Sequence, residues 1–261
     1  MPVLPYLRVA LGAFVGAHVL GVLCACLLSD RLIFLPPPAS YPDSPEIFKI
    51  TTPDGVKLAA RHLPCPSARY TLIFFHGNAE DLGGIEPFLH LLRDRLGIAV
   101  LAWDYRGYGR SGGRVGEPAT LRDAHTIFAY VTDALGVPTD RIILYGRSLG
   151  GGPAVELAAS ERCAMLVLQS AFTSTFRVMT RVRLLPFDKF NNLARMPRVR
   201  CPVLVIHGTA DRVVPFYHGQ QLYAAASGPK RHLWVEGAGH NDLVEAAGET
   251  YWQALREFLP R

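Results

Sequence analysis

Short apolar runs, YTLIFFHG, GIAVLAWD, RIILYG, AMLVLQS, PVLVIHG and RHLWVEG, recur along this chain. They are separated by stretches such as GIEPFLHLLRDRL and ATLRDAHTIFAYVTDAL, whose apolar residues fall at helical spacing. Runs that are β-branched and leucine-rich throughout, rather than alternating, belong to strands buried on both faces. The alternation predicts an α/β architecture: a mostly parallel central sheet with helices on both faces. At 261 residues, 49% of them hydrophobic and 19% charged, the chain is long enough to bury such a core as one domain. Ahead of the first run, EIFKITTPDGVKLAARHL sets Asp54-Gly55 between two alternating segments and predicts a β-hairpin.

The N-terminus reads differently. From Val9 to Leu28 the chain is apolar, with no charge between Arg8 and Asp30. As a helix this run spans about 30 Å, the thickness of a bilayer's hydrocarbon. The expectation is a single-pass N-terminal transmembrane anchor over residues 1–31, ahead of a cleaved signal peptide or a buried amphipathic helix. LCAC, with Cys26 as the lipidated residue, is a weak match to a lipoprotein box. Arg8 and the amino terminus face only Arg31 across the run, a slight lean toward a catalytic part outside the cytoplasm. FLPPPASYPDSP follows; its prolines cannot donate backbone hydrogen bonds, so residues 32–45 read as a stiff connector to a domain at 46–261.

The formal net charge of +5 is modest for a nucleic-acid binder of this size, and none is expected as a partner. No Cys/His spacing suits zinc, and Cys65, Cys163 and Cys201 are too scattered to suggest a disulfide framework. No metal and no cofactor are expected. Oligomeric state is left open.

Function in an open α/β sheet collects at the carboxyl ends of the strands. There, Gly146-Arg147-Ser148-Leu149-Gly150 forms G-x-S-x-G between the run RIILYG and the helical stretch GGPAVELAAS. The glycines let the chain reverse from strand to helix within a few residues, with Ser148 projecting as a nucleophile at a helix start. A serine hydroxyl needs a base and a group to orient that base. His240, in WVEGAGHND, follows the last strand; Asp211, in HGTADRVVP, follows the penultimate one. The competing role for Asp211 is to cap the turn before VVPF, whereas Asp242 with Glu245 reads as a capping box for the final helix. His76 and His207 suit structural bonding near the site. For a developing oxyanion, the backbone amide of Leu149 is one donor and that of Asn78 the other, favoured over Ala79.

Together HGNAEDL, DYRGYGRSGG, GRSLGG, HGTADRVVP and GAGHND, in this order, resemble the α/β-hydrolase superfamily. The closest likeness is to its membrane-anchored branch of bud-emergence-type hydrolases and protein depalmitoylases, related to the serine aminopeptidase-like hydrolases; DRLIFLPPP resembles that branch too. The resemblance covers the chain from about Leu32 onward. It implies the α/β-hydrolase fold, Ser148, Asp211 and His240 as a catalytic triad, oxyanion donors near Asn78 and at Leu149, and no metal or cofactor. It gives Arg106 and the glycines of DYRGYG a mainly structural role. Larger relatives carry a cap domain between AMLVLQS and PVLVIHG; here residues 172–200 leave space only for a short lid. Phe172, Phe176 and Met179 are candidates for an apolar acyl pocket, core packing being the equal alternative. Arg177, Arg181, Arg183, Lys189, Arg195, Arg198 and Arg200 face only Asp188 locally. They read as a solvated basic face, or more sharply as a contact for anionic lipid headgroups.

The reading is therefore a serine hydrolase acting on carboxylic esters or thioesters, small molecules or acylated proteins, through an acyl-enzyme on Ser148. A serine aminopeptidase-type peptidase and a non-catalytic membrane-tethered binding module are the alternatives.

Overall fold

The chain is described by a computed structural model covering residues 4–180 and 187–259; of residues 4–10, 23–27 and 179 only the backbone is described. It divides into two compact units, Met1–Leu35 and Pro36–Arg261.

The first unit is one helix, α1 (Leu4–Ile33), with Leu11, Phe14, Val15, Val19 and Leu20 exposed. Among the described residues, no helix is long and apolar enough to cross a membrane, so the transmembrane expectation finds no support in the structure. The apolar run is diluted by Gly12, Gly16, Gly21 and His18, and part of it, residues 9–10 and 23–27, has side chains outside the described residues.

The second unit is built on an eight-stranded sheet in the order β1-β2-β4-β3-β5-β6-β7-β8. Its strands are β1 (Ile47–Thr51), β2 (Lys57–Leu63), β3 (Thr71–Phe75), β4 (Ala99–Trp103), β5 (Ile142–Arg147), β6 (Met165–Gln169), β7 (Val203–Gly208) and β8 (Lys230–Val235). Each apolar run becomes a strand, and β3 to β7 are buried almost throughout. The β1–β2 hairpin is antiparallel and turns at Gly55, whose φ of 82° suits glycine. β2 pairs antiparallel with β4, and all remaining pairs are parallel. The strand order reverses between β3 and β5, so the carboxyl ends of these strands flank the topological switch point.

Helices α2 (Leu82–Leu96), α4 (Gly151–Ser160), α7 (Tyr217–Ala225), α8 (Leu243–Ala247) and α9 (Glu249–Phe258) pack with the sheet, and α3 (Glu117–Ala129) packs on α4. α2 shows how sequence sets these boundaries. Asp81 caps its start by accepting the Gly84 amide at 3.0 Å, and Gly97 ends it in the left-handed region at φ 65°. Its buried residues Leu82, Ile85, Leu89 and Leu92 form one stripe against the core.

The short lid contains α5 (Thr175–Thr180) and α6 (Asn192–Arg195). Asp188 steadies it by accepting Ser174 Oγ at 2.5 Å and the Phe176 amide at 3.0 Å. Its basic residues are less isolated than the local sequence implies. Lys189 lies 3.8 Å from Glu117 on α3, and Arg195 pairs with Glu156 on α4. Arg181 and Arg183 lie outside the described residues. Cys163 and Cys201, far apart in sequence, come into thiol–thiol contact because they precede the adjacent strands β6 and β7.

Candidate active site

The loop after β5 places Ser148 at φ 51°, a left-handed conformation that strains a residue with a Cβ. Its neighbours show why glycine surrounds it. A Cβ on Gly146 would stand 2.6 Å from the Gly150 carbonyl oxygen, and one on Gly150 would stand 2.1 Å from that of Phe75. The chain then turns directly through Ser148–Gly150 into α4. Leu149 thus opens a helical segment whose first amides no carbonyl within the helix reaches.

Three side chains distant in sequence meet here. His240 Nε2 lies 3.0 Å from Ser148 Oγ, and His240 Nδ1 lies 2.7 Å from Asp211 Oδ2. His240 is supplied by the loop after β8 and Asp211 by the loop after β7, both at the carboxyl edge of the sheet. The two oxygens of Asp211 divide their work: Oδ1 accepts the amides of Val213 and Val214 at 2.9 and 2.8 Å, so the capping role and the histidine contact coexist. Burial alone would raise the Asp211 carboxyl, but hydrogen bonds from His207 and His240 outweigh it and hold the group well below the usual carboxylate range. His207 itself is fully buried, with Nε2 2.9 Å from the Val214 carbonyl oxygen.

The expected capping box at Asp242 does not form. No side-chain cap bond joins it to α8; its Oδ1 instead accepts the Gly239 amide at 2.7 Å and closes the turn that carries His240.

Facing the serine is the loop after β3. A Cβ on Gly77 would lie 3.6 Å from Ser148 Cβ, so the backbone passes close to this serine. The Gly77 amide donates to Glu80 Oε2 at 2.6 Å and the Ala79 amide to Asn78 Oδ1 at 3.1 Å. Asn78 Oδ1 also accepts Tyr108 Oη at 2.6 Å. The DYRGYG segment buttresses this loop: Tyr105 Oη donates to the His76 carbonyl at 2.7 Å, and His76 Nδ1 lies 2.7 Å from the Gly77 carbonyl oxygen. Arg106 points elsewhere, held by Asp123 and Asp54 at 2.7 to 2.8 Å.

Glu80 and Arg147 were not singled out by the motifs, yet they tie the two halves of the site together. Arg147 Nη2 lies 2.5 Å from Glu80 Oε1, and Nε 3.2 Å from Oε2. The sequence signal was the charge inside G-x-S-x-G, facing another in HGNAED.

Among the candidate pocket residues, Phe172 is buried in the core and Phe176 stacks edge-on with Phe187 at 5.7 Å. The side chain of Met179 lies outside the described residues. No group of His, Cys, Asp and Glu able to hold a metal occurs among the described residues.

This fold and this site define an α/β hydrolase, and comparison with known proteins agrees. The family model "Serine aminopeptidase, S33" matches residues 66–190. The chain is 35% identical over 266 residues to "Alpha/beta hydrolase domain-containing protein 17B" of Xenopus laevis, covering 90% of this chain and 92% of the relative. The human protein of the same description is 34% identical over the same coverage. The chain belongs to this family of alpha/beta hydrolase domain-containing proteins and is a hydrolase by class. Among solved structures, an esterase of Pyrococcus furiosus superposes with a TM-score of 0.72 at 22% identity, covering 86% of this chain and 98% of that one. A monoacylglycerol lipase of Paleococcus ferrophilus gives 0.62 at 22%, covering 77% and 98%. At such identity these two speak to the fold alone.

Proposed function

We propose that the protein is a serine hydrolase that cleaves carboxylic esters or thioesters through an acyl-enzyme on Ser148. The observation that carries this reading is the continuous relay from Ser148 Oγ through His240 to Asp211 at 3.0 and 2.7 Å. His240 Nε2 takes the hydroxyl proton as Ser148 attacks the acyl carbon, while Asp211 holds the Nδ1–H tautomer and stabilises the imidazolium. The tetrahedral oxyanion is received by the backbone amides of Leu149 and Asn78. His240 then returns the proton to the leaving alcohol or thiol, and water repeats the sequence to release the acid.

Among the described residues of the lid the one carboxylate, Asp188, is taken up by Ser174 and Phe176, which places esters and thioesters ahead of the peptide bonds of the aminopeptidase description. Phe172, Phe176 and Met179 are proposed to border the acyl chain, and acylated proteins belong to the proposed substrate range. Attachment to a membrane through α1 is part of the same proposal, supported by the exposed apolar side chains of that helix; a slight lean toward a catalytic unit outside the cytoplasm rests on Arg8 and the amino terminus facing only Arg31. The test is a pre-steady-state assay with p-nitrophenyl esters and acyl thioesters of graded chain length. A burst of one leaving group per protein molecule supports the acyl-enzyme, and turnover that survives Ser148→Ala counts against it.

A further inference from the structure

The proline-rich segment ahead of the sheet does not behave as a spacer. From Pro36 it belongs to the catalytic unit, and Tyr41 is buried there. Ser40 gives both its amide, at 2.6 Å, and its hydroxyl, at 2.5 Å, to the carboxylate of Asp81. Tyr41 Oη donates to Asp104 Oδ2, and Asp104 Oδ1 accepts the Leu82 amide at 2.9 Å. Arg110 closes the far side, its Nε 2.9 Å from the Tyr41 carbonyl oxygen and its Nη1 3.1 Å from Asp43.

The two carboxylates reached by this segment bracket the loop that faces Ser148. Asp81 caps α2, where the loop at residues 76–80 ends, and Asp104 lies 3.6 Å from His76, where it begins. The surrounding backbone has kept room for the contact. A Cβ on Gly83 would stand 2.5 Å from Ser40 Oγ, and one on Gly109 would stand 1.9 Å from Asp104 Oδ2 and 2.9 Å from Tyr41 Oη. Burial, then the Asp104 charge, pushes the Tyr41 phenol far up, so it stays a donor at every working pH. Asp104 is fully buried, so without Tyr41 its Oδ2 loses a donor where water does not replace one.

We propose that Ser40 and Tyr41 are positioning residues that strap the oxyanion loop in place from outside the sheet. The inference rests on the serine hydrolase reading above. A strap of this kind acts on the reacting geometry rather than on substrate affinity, and small displacements of a donor loop cost rate steeply.

The test uses the full chain carrying Tyr41→Phe or Ser40→Ala, with Leu255→Ala, a buried position of α9 outside both the loop and the strap, as a core-destabilised control. For Tyr41→Phe the expected result is a fall of about tenfold in kcat, with KM within about twofold of wild type. Ser40→Ala is expected to lose about threefold in kcat with KM likewise retained, and it decides the matter alone if Tyr41→Phe fails to fold. Leu255→Ala, compared by thermal unfolding midpoint, keeps kcat. The strap is overturned if kcat of the folded strap variants stays within about twofold of wild type, or if Leu255→Ala loses as much at a comparable midpoint. Absence of fluorophosphonate labelling at Ser148 in the wild type would instead sink the hydrolase reading, so the two failures are distinct.

Discussion

Arg147 and Glu80 form an ion pair that joins the strand leading into Ser148 to the loop opposite it, since the same Glu80 carboxylate also accepts the Gly77 amide at 2.6 Å. The guanidinium carbon of Arg147 sits over the rings of Phe74 and Phe88 at 5.3 and 5.4 Å, which fixes it from below. Replacing it by methionine keeps much of the packing and leaves Glu80 without its cation. Arg147→Met is therefore expected to lose about 1–3 kcal/mol of stability in urea unfolding and about tenfold in kcat. An unchanged kcat would show that the pair serves folding alone.

Ser148 provides a separate stability test, because its φ of 51° strains any residue with a Cβ. Ser148→Gly and Ser148→Ala both abolish the nucleophile, but only glycine relieves the backbone. Glycine is expected to be the more stable of the two by about 1 kcal/mol, after the entropy it adds to the unfolded chain. Equal unfolding midpoints would mean that the elbow stores no strain.

His218 sets an acid limit on the fold. Burial, and after it the neighbouring His207 and Arg177, lower its pKa to about 4 against the opposing charge of Asp211. The folded protein keeps the ring neutral where the unfolded chain, with a pKa of about 6.5, takes up a proton. Stability is therefore lost as pH falls from about 6.5 toward 4, at up to about 1.4 kcal/mol per pH unit. His218→Gln should flatten unfolding free energies across that window. Asp211, whose carboxyl is held low, acts at more acid pH: its contribution is present above the ordinary carboxylate range and disappears only below about 4.

Asp211→Asn tests the orienting role directly. The amide retains the shape but permits the wrong histidine tautomer, so kcat is expected to fall by about 10⁴. A loss below about tenfold in steady-state kinetics would remove Asp211 from the mechanism.

Much of this architecture was legible in the sequence because it depends on local signals. Each of Ser148, Asp211 and His240 follows an apolar run, and in a parallel sheet the ends of such runs lie on one edge whatever the strand order. The Gly-rich elbow announced its own geometry, since Gly146 and Gly150 leave no space for side chains. What escaped depends on which strands are neighbours and which side chains cross between loops. Glu80 and Arg147 are 67 positions apart in the chain, and no periodicity links them. Cys163 and Cys201 meet only because β6 lies beside β7. The prolines ahead of β1 suggested a stiff connector, yet Ser40 and Tyr41 among them find buried carboxylates supplied by two other segments. Asp242 had the spacing of a helix cap, and its carboxylate went to the turn before it.

The central claim is that Ser148 is a nucleophile activated by His240, and active-site labelling tests it most directly. The protein is treated with a fluorophosphonate probe and the modified residue is mapped by mass spectrometry, in wild type, Ser148→Ala and His240→Ala. The account predicts one phosphonyl group on Ser148 in wild type, none in Ser148→Ala, and strongly slowed labelling in His240→Ala. Labelling that persists in Ser148→Ala, or that is equally fast without His240, contradicts it.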